Sequence, residues 1–182
     1  EAQAGLDIRV LTGSDLTEAM WDAFFEFYMD TGSRKWGRPY LNRAFFSEIG
    51  ARMADRIALV MAFEAGRPIA GALNFIGMQA LYGRQWGTVS PRPFLHFELC
   101  YYQAIDLAIS LGLERVEAGA QGDHKLARGY LPRPVHSAHY IAHPGLRRAV
   151  DDYLDQEREA VAENAVVMIE NYSPFRRGDR DA

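Results

Sequence analysis

The sequence predicts an α+β fold in which helices flank a mixed, mostly antiparallel sheet. Apolar residues repeat at helical spacing near both ends of the chain, and short apolar runs separated by turn residues fill its middle. A later helix that ends at a glycine is followed by one more strand, which adds a parallel crossover. The 182 residues are 48% hydrophobic and 24% charged, as in globular domains with a sizeable core. We therefore expect one domain over residues 1–182.

The first third of the chain predicts the order β-α-α. Residues 8–11 are a short run with β-branched side chains, and Thr12-Gly-Ser-Asp supplies a turn with capping residues. Apolar residues recur at helical spacing over 16–30, which predicts the first helix. After a loop at 36–41, residues 42–54 predict a second helix.

The middle of the chain predicts strands. Residues 57–64 are strongly apolar, Ala65-Gly-Arg-Pro has turn chemistry, and an extended pattern resumes over 69–80, so we expect an antiparallel hairpin. Residues 85–89 and 94–99 are two further strand candidates. A helix then ends at Gly112, and a strand over 115–121 completes a β-α-β crossover.

The last third predicts a polar helix or loop over 124–130, a final strand over 135–142 and a long helix with one apolar stripe over 145–172. The resulting order, β-α-α-β-β-β followed by β-α-β, is compatible with acyltransferase folds of the GNAT type. A fold hosts many chemistries, so function has to be argued from particular residues.

Composition excludes several classes of protein. Cys100 is the one cysteine, which rules out an intramolecular disulfide and multi-cysteine zinc sites, and we interpret it as a small buried hydrophobe. No His-Glu-x-x-His motif is present, so we expect no metal. A net charge of -4 gives no general attraction to phosphate backbones. With no apolar run long enough to span a bilayer and no leader sequence, we expect a cytoplasmic protein without a membrane span.

Two polar clusters are candidate sites, and the first is His96 with Glu98. If residues 94–99 are extended, both side chains project from one face and line a pocket wall, while Leu95, Phe97 and Leu99 fill the other face. The alternative is an ordinary solvated sheet face.

The second cluster follows the last predicted crossover strand. Glu117 and Gln121 share one face of that strand, and His124, Lys125 and Arg128 crowd the turn after it. This set offers a titratable base together with fixed cations. The alternative is a turn-rich loop with solvated charges.

The sequence lacks the motifs of common nucleotide-binding and coenzyme A-binding proteins. The sequence has no phosphate-binding Gly-x-x-x-x-Gly-Lys-Ser/Thr loop and no dinucleotide fingerprint. The Arg/Gln-x-x-Gly-x-Gly/Ala loop expected of an acetyl-CoA enzyme of the GNAT type is matched only in part, by residues 84–89. We therefore expect no tightly bound cofactor and leave the acyl donor open.

Four sequence strings carry a family resemblance. They are Lys35-Trp-Gly-Arg-Pro-Tyr-Leu, Leu95-His-Phe-Glu-Leu-Cys-Tyr-Tyr-Gln, Glu117-Ala-Gly-Ala-Gln-Gly-Asp-His-Lys and Arg128-Gly-Tyr-Leu-Pro. Together they resemble the bacterial FemAB-like family of predicted N-acyltransferases, labelled for peptidoglycan biosynthesis or recognition. The resemblance spans nearly the whole chain. Because family members are usually longer and built from two GNAT-like halves, it implies that this chain is a C-terminal half.

The resemblance also implies donors and partners. Relatives with this fold include Fem aminoacyltransferases and leucyl/phenylalanyl-tRNA protein transferases, which move an aminoacyl group from tRNA onto an amine. The implied donor is therefore aminoacyl-tRNA or acyl-CoA, and the implied acceptor is a small-molecule or muropeptide amine. The missing N-terminal half is an implied partner, and a homodimer is left open. The leucyl/phenylalanyl-tRNA protein transferases carry a Gly-Glu-Ser-Met segment between strand and helix. The segment at 97–100 is similar only in its glutamate and its setting, which supports Glu98.

Our leading hypothesis is an N-acyltransferase domain. Glu98, helped by His96 or His124, orients or deprotonates the acceptor amine, while Lys125 and Arg128 stabilise oxyanion or donor phosphate charge. This hypothesis requires the two clusters to meet at a single cavity. The alternative is a non-catalytic module that recognises peptidoglycan precursor or pairs with the missing half.

Three aromatic residues complete the predicted site. Tyr82, Trp86 and Tyr130 would form apolar or stacking walls that exclude water, because hydrolysis competes with transfer. The alternative is that these three aromatic residues only pack in the hydrophobic core.

Overall fold

The computed structural model describes residues 5–35, 39–119 and 123–175. The chain divides into two compact units, Glu1–Ala120 and Gln121–Ala182. The sheet lies in the first unit, and the longest helix lies in the second. That residues 1–182 form one domain and the C-terminal half of a longer protein stays a prediction.

One five-stranded sheet organises the first unit, and its strand order follows the chain. The strands are β1 (Leu6–Leu11), β2 (Ile57–Glu64), β3 (Arg67–Ile76), β4 (Ala80–Thr88) and β5 (Arg115–Glu117). The first four pair in antiparallel fashion, whereas β4 and β5 are parallel. The predicted hairpin, the mostly antiparallel sheet and the β-α-β crossover are therefore confirmed.

Helices cover the sheet and form the second unit. In chain order they are α1 (Glu18–Lys35), α2 (Arg43–Met53), α3 (residues 95–110) and α4 (Pro144–Tyr172). Short 3-10 turns lie at Gly13–Asp15, Ala54–Arg56 and Asp123–Arg128. Helix α2 begins where the Asn42 side chain accepts a hydrogen bond from the backbone N–H of Phe45, 3.0 Å away.

Both faces of the sheet are buried. Leu59 and Met61 pack with Trp21 and Phe24 of α1 in one core cluster. Val60 and Ala62 point the other way and join a second cluster, which includes Leu95 and Leu99 of α3. Because helices cover both faces, β2 is a continuous apolar run without polar alternation.

The prediction of a strand over 94–99 is wrong. These residues begin α3, which consists of an α-helical turn at Leu95–Phe97, a π-helical turn at Glu98–Tyr102 and an α-helix at Gln103–Ser110. The buried positions Leu95, Leu99, Ala104 and Ala108 follow one another at steps of four, five and four residues. The wide π turn absorbs the step of five, so the apolar stripe stays against the sheet. Six alternating residues are too few to distinguish this helix from a strand.

The prediction of a strand over 135–142 is also wrong. This segment has no regular secondary structure, and Val135 and Tyr140 are 83% and 87% exposed. Prolines at 132, 134 and 144 flank it, and proline removes the backbone donors that a ladder needs. The predicted strand at 115–121 is likewise shorter than expected, because β5 ends at Glu117.

Candidate functional site

A β-bulge interrupts the pairing of β4 with β3. Leu73 of β3 lies opposite Gln85, and the next residue, Asn74, lies opposite Gly83. Arg84 is therefore an extra residue on β4 with no partner on β3. A glycine inside a strand is a common sign of such a bulge, and Gly83 is the signal in this sequence.

The bulge places two predicted wall residues on opposite faces of the sheet. Tyr82 lies opposite Phe75, which packs with the core cluster under α1 and α2. Trp86 packs with the cluster under α3. Side chains four positions apart on a regular strand would share a face, but the extra residue reverses the alternation. Tyr82 and Trp86 therefore lie on different faces of the sheet, and their role as walls of a substrate site stays a prediction.

The two parallel strands separate after a short contact. Pairing between β4 and β5 runs from Ala80 with Arg115 to Tyr82 with Glu117. In the described part of the chain, the edge of β4 beyond Tyr82 has no strand partner on this side. An unpaired strand edge presents backbone N–H and C=O groups to a ligand.

A cavity of about 150 Å³ lies at this open edge of β4. Its walls come from β3, β4, α3 and Ala118. Its described lining residues with polar or reactive side chains are Asn74, Arg84, Gln85, Trp86, His96, Cys100 and Tyr101. Of these, the sequence predicts His96 and Trp86 as site residues. The four-residue spacing of His96 and Cys100 is the signal for a shared helix face, once the segment is known to be helical.

His96 is held by aromatic rings inside this cavity. Its ring centroid is 5.3 Å from that of Trp86 and 5.5 Å from those of Phe97 and Tyr101, with edge-to-face geometry toward Trp86 and Tyr101. Aromatic pairs at these separations attract one another beyond simple burial. The surrounding rings therefore restrict the orientation of the imidazole at the cavity wall.

Glu98 occupies a different position from His96. The amide Nε2 of Gln103 donates a hydrogen bond to Glu98 Oε1 across the π turn, at 2.9 Å. Residues two apart on a helix point in nearly opposite directions, and Glu98 is not among the cavity-lining residues. The expectation that His96 and Glu98 project from one strand face is wrong, whereas a catalytic role for Glu98 stays a prediction.

Gln85 carries a hydrogen-bond acceptor on the sheet face of its partner Leu73, which is opposite to the face of Trp86 and His96. Its Oε1 atom is buried and accepts no hydrogen bond from the described residues. The neighbouring amide of Asn74 behaves differently, since its Nδ2 donates to the carbonyl oxygens of Ala58 and Ala72 at 3.3 and 3.2 Å. Buried polar atoms are nearly always paired in folded proteins, so Gln85 Oε1 has the capacity to accept an N–H or O–H from a ligand.

Glu117 lies outside the cavity lining. Its Oε1 accepts a hydrogen bond from Arg115 Nε at 3.1 Å, and this hydrogen bond is the main cause that raises the pKa of Arg115 above its ordinary value. Both side chains are about half exposed. Tyr82, opposite Glu117, is 40% exposed.

Apart from Glu117, the second predicted cluster belongs to the second unit. His124 is exposed, and Arg128 Nη1 donates to the carbonyl oxygen of His124 at 2.7 Å. Lys125 and Tyr130 are half-buried, and burial lowers the pKa of Lys125. Gln121 lies outside the described residues. That this cluster shares a cavity with His96 stays a prediction.

Two further structural findings concern the described ranges 5–35, 39–119 and 123–175. No group of three or more histidine, cysteine, aspartate or glutamate side chains in these ranges is placed to hold a metal ion. Nor is any helix in them both long and apolar enough to cross a bilayer.

The sheet, with its single parallel crossover, is the fold of GNAT acetyltransferases. An aminoglycoside acetyltransferase from an uncultured soil metagenomic sample, in complex with sisomicin, aligns with a TM-score of 0.56 at 13% identity, over 79% of this chain and 99% of that chain. A GNAT family acetyltransferase of Staphylococcus aureus aligns with a TM-score of 0.53 at 11% identity, over 75% of this chain and 99% of that chain. An acetyltransferase of Trypanosoma brucei aligns with a TM-score of 0.52 at 16% identity, again over 75% of this chain and 99% of that chain.

The sequence itself matches the FemAB-like family model, described as peptidoglycan biosynthesis/recognition, over residues 1–177. The chain therefore belongs to the FemAB-like family, as its four strings indicate. No significant match is found among curated proteins. Family and fold together support an N-acyltransferase-like role.

Proposed function

We propose that this chain is an N-acyltransferase domain that transfers an acyl or aminoacyl group to an amine in cell-wall precursor metabolism. One observation carries the proposal: His96 lines a cavity that also exposes the bulged edge of β4. Imidazole is the side chain whose charge changes nearest neutral pH, so it suits removal of a proton from an ammonium group. The proposal assigns this step to His96, because Glu98 is bonded to Gln103 away from the cavity.

The reaction is aminolysis of an activated acyl ester or thioester. His96 takes a proton from the ammonium form of the acceptor, and the freed amine attacks the acyl carbon. A C–N bond forms, the C–O or C–S bond to the donor breaks, and the departing oxygen or sulfur takes up the proton that the attacking nitrogen loses as it becomes an amide. A positioned base of this kind contributes about 10²- to 10⁴-fold in rate.

Other groups at the cavity can stabilise the reacting acyl group and exclude water from it. Backbone N–H groups along the open edge of β4 can donate hydrogen bonds to the acyl oxygen of the donor. The rings of Trp86 and Tyr101 keep water from the acyl group, which favours transfer over hydrolysis.

The donor in this proposal is acyl-CoA or aminoacyl-tRNA, and the acceptor is a small-molecule or muropeptide amine. Lys125 and Arg128 remain candidates for binding donor phosphate, with support from the sequence and the family resemblance. The peptidoglycan description of the family supports the cell-wall assignment. A cytoplasmic location, pairing with an N-terminal half and homodimer formation belong to the same proposal.

The test is acyl transfer by the purified chain, with acetyl-CoA or aminoacyl-tRNA as donor and muropeptide amines as acceptors. We expect His96→Gln to lose about 100-fold or more in turnover while its circular dichroism is unchanged, within the range for a lost base. Glu98→Gln and His124→Ala, measured in parallel, show which of the three groups the reaction needs. His136→Gln removes an exposed histidine from the irregular segment and is the matched control.

Full turnover in His96→Gln would overturn the assignment of the base. Binding of muropeptide by the wild-type chain with no transfer from either donor would instead favour the non-catalytic recognition module.

A further inference from the structure

Arg84 is the charged residue that the bulge places at the cavity. As the extra residue of β4, it lines the cavity, and its side chain is exposed. Its Nη2 donates a hydrogen bond to the hydroxyl of Tyr40, which lies in the segment between α1 and α2. This contact fixes one edge of the guanidinium and leaves its other N–H groups for a ligand.

The charge of Arg84 is not balanced by a neighbouring carboxylate. Among the described residues, no aspartate or glutamate forms an ion pair with Arg84. Arg115 on the adjacent strand differs, because Glu114 and Glu117 pair with it. Among the described residues, Arg84 thus places a positive charge without a carboxylate partner beside the cavity, at Tyr40, with its donors in one plane.

We propose that Arg84 binds a carboxylate of the acceptor, so that the substrate class is a carboxylate-bearing amine such as an amino acid or a peptide. The inference rests on the proposed function, because it concerns the acceptor of the same site. A guanidinium binds a carboxylate through two parallel hydrogen bonds. One cation matches a carboxylate monoanion better than a donor pyrophosphate, which carries more charge.

Tyr40 connects this contact to a second space. A cavity of about 290 Å³ is lined by Tyr40 together with Phe25, Met29 and Leu41. The side chain of Tyr40 is 72% exposed, so an acceptor held at Arg84 can extend along its ring toward these apolar residues. Because the lining also includes Asn42 and the Tyr40 hydroxyl, a peptide can contact this cavity with both its side chains and its backbone.

The test compares two probes that differ only in the carboxylate, the dipeptide alanylalanine and alanylalanine amide. Their dissociation constants are measured by isothermal titration calorimetry for the wild type and for Arg84→Gln, Arg84→Lys and Arg67→Gln. We expect the wild type to bind the acid about tenfold more tightly than the amide, as one charge-assisted contact allows. Arg84→Gln should bind both probes equally, and Arg84→Lys should keep part of the preference. Arg67→Gln removes an exposed charge at the start of β3 and should bind the acid in preference to the amide as strongly as the wild type does.

Equal affinity of the wild type for the two probes, a preference that survives in Arg84→Gln, or no measurable binding of either probe would each overturn the inference. Displacement of the acid by inorganic phosphate at lower concentration than by acetate would assign Arg84 to donor phosphate and overturn it as well. His96-dependent transfer without acid preference would refute the inference alone. Acid preference without any transfer would refute the proposed function and leave a carboxylate-binding site.

Discussion

His96 and Tyr101 meet edge to face across one π-helical turn, with ring centroids 5.5 Å apart and ring planes at 88°. Residues five apart on an α-helix point in well-separated directions, whereas the wider π turn brings them together. The same turn joins Glu98 to Gln103, also five apart. Tyr101 is 4% exposed, so the buried ring supports the orientation of His96 at the cavity wall.

Two substitutions of Tyr101 should distinguish its contribution to stability from its effect on the orientation of His96. We expect Tyr101→Ala to lower the free energy of unfolding by about 3 kcal/mol, as for other buried aromatic residues, and to reduce transfer activity. Tyr101→Phe keeps the ring and should retain activity. Urea denaturation and steady-state kinetics measure the two effects. Tyr102→Ala, at a neighbouring position that is 46% exposed, is the control and should change stability little. Normal activity in a folded Tyr101→Ala would show that the ring does not position His96.

Two glycines of β4 should respond in opposite ways to the same substitution. A Cβ atom at Gly87 would lie 2.3 Å from the backbone oxygen of Phe27 in α1, and this backbone has little room to move. A Cβ atom at Gly83 would meet its nearest atom at an ordinary 3.5 Å. We expect Gly87→Ala to lower the unfolding free energy by about 3 kcal/mol and Gly83→Ala to be nearly neutral. Thermal unfolding of both variants checks this, and equal stability of the two would contradict the packing of α1 on β4.

The contacts between α1 and α2 should respond to acid. The hydroxyl of Ser47 donates to Glu18 Oε2 at 2.8 Å, and Arg43 pairs with the same oxygen at 2.7 Å. These contacts, with the Ser47 hydrogen bond as the largest cause, hold the pKa of Glu18 below its ordinary value. Because the folded pKa is the lower one, the stabilisation is present above the ordinary glutamate pKa and is lost as pH falls through the lowered value.

We expect Ser47→Ala to raise the pKa of Glu18 toward its ordinary value, as measured by NMR titration of the side-chain carboxyl. Ser33→Ala is the control, because Ser33 donates to a backbone oxygen in α1. A pKa of Glu18 that is the same in Ser47→Ala and in the wild type would show that the hydrogen bond is not formed in solution.

Lys125 should make stability rise as pH approaches the ordinary lysine pKa. Burial lowers the pKa of Lys125, so the folded chain binds this proton less tightly than the unfolded chain does. Stability therefore increases with pH between the lowered value and the ordinary lysine pKa. We expect Lys125→Met to be more stable than the wild type at neutral pH, with a difference that shrinks as pH rises. Urea denaturation at several pH values measures this difference.

The matched variant Lys125→Arg keeps its charge throughout this pH range, so it should not share the alkaline gain. A constant difference between the wild type and Lys125→Met at all pH values would exclude burial of a titrating lysine.

Local patterns were sufficient for much of the fold. The apolar runs at 57–64 and 69–80, with turn residues between them, predict the hairpin that the structure contains. Helical spacing predicts α1, α2 and the long C-terminal helix, although their ends differ by a few residues. These elements follow from side-chain periodicity, which depends on neighbours along the chain.

The candidate site was predicted less completely. His96 and Trp86 are predicted residues that the structure places at the cavity, whereas Arg84 and Gln85 became site residues only with the register of β4 known. A bulge depends on how one strand pairs with another, so the sequence of β4 alone indicates it only weakly, through Gly83.

The sequence by itself determined the α+β class, the hairpin and the family of the chain, because these depend on periodicity, turn residues and short strings. Tertiary structure decided whether residues 94–99 are helix or strand, since Leu95 and Leu99 are buried on the sheet through a helical face. It also decided which face Tyr82 and Trp86 occupy, because one unpaired residue in the β3–β4 ladder reverses every later side chain of β4.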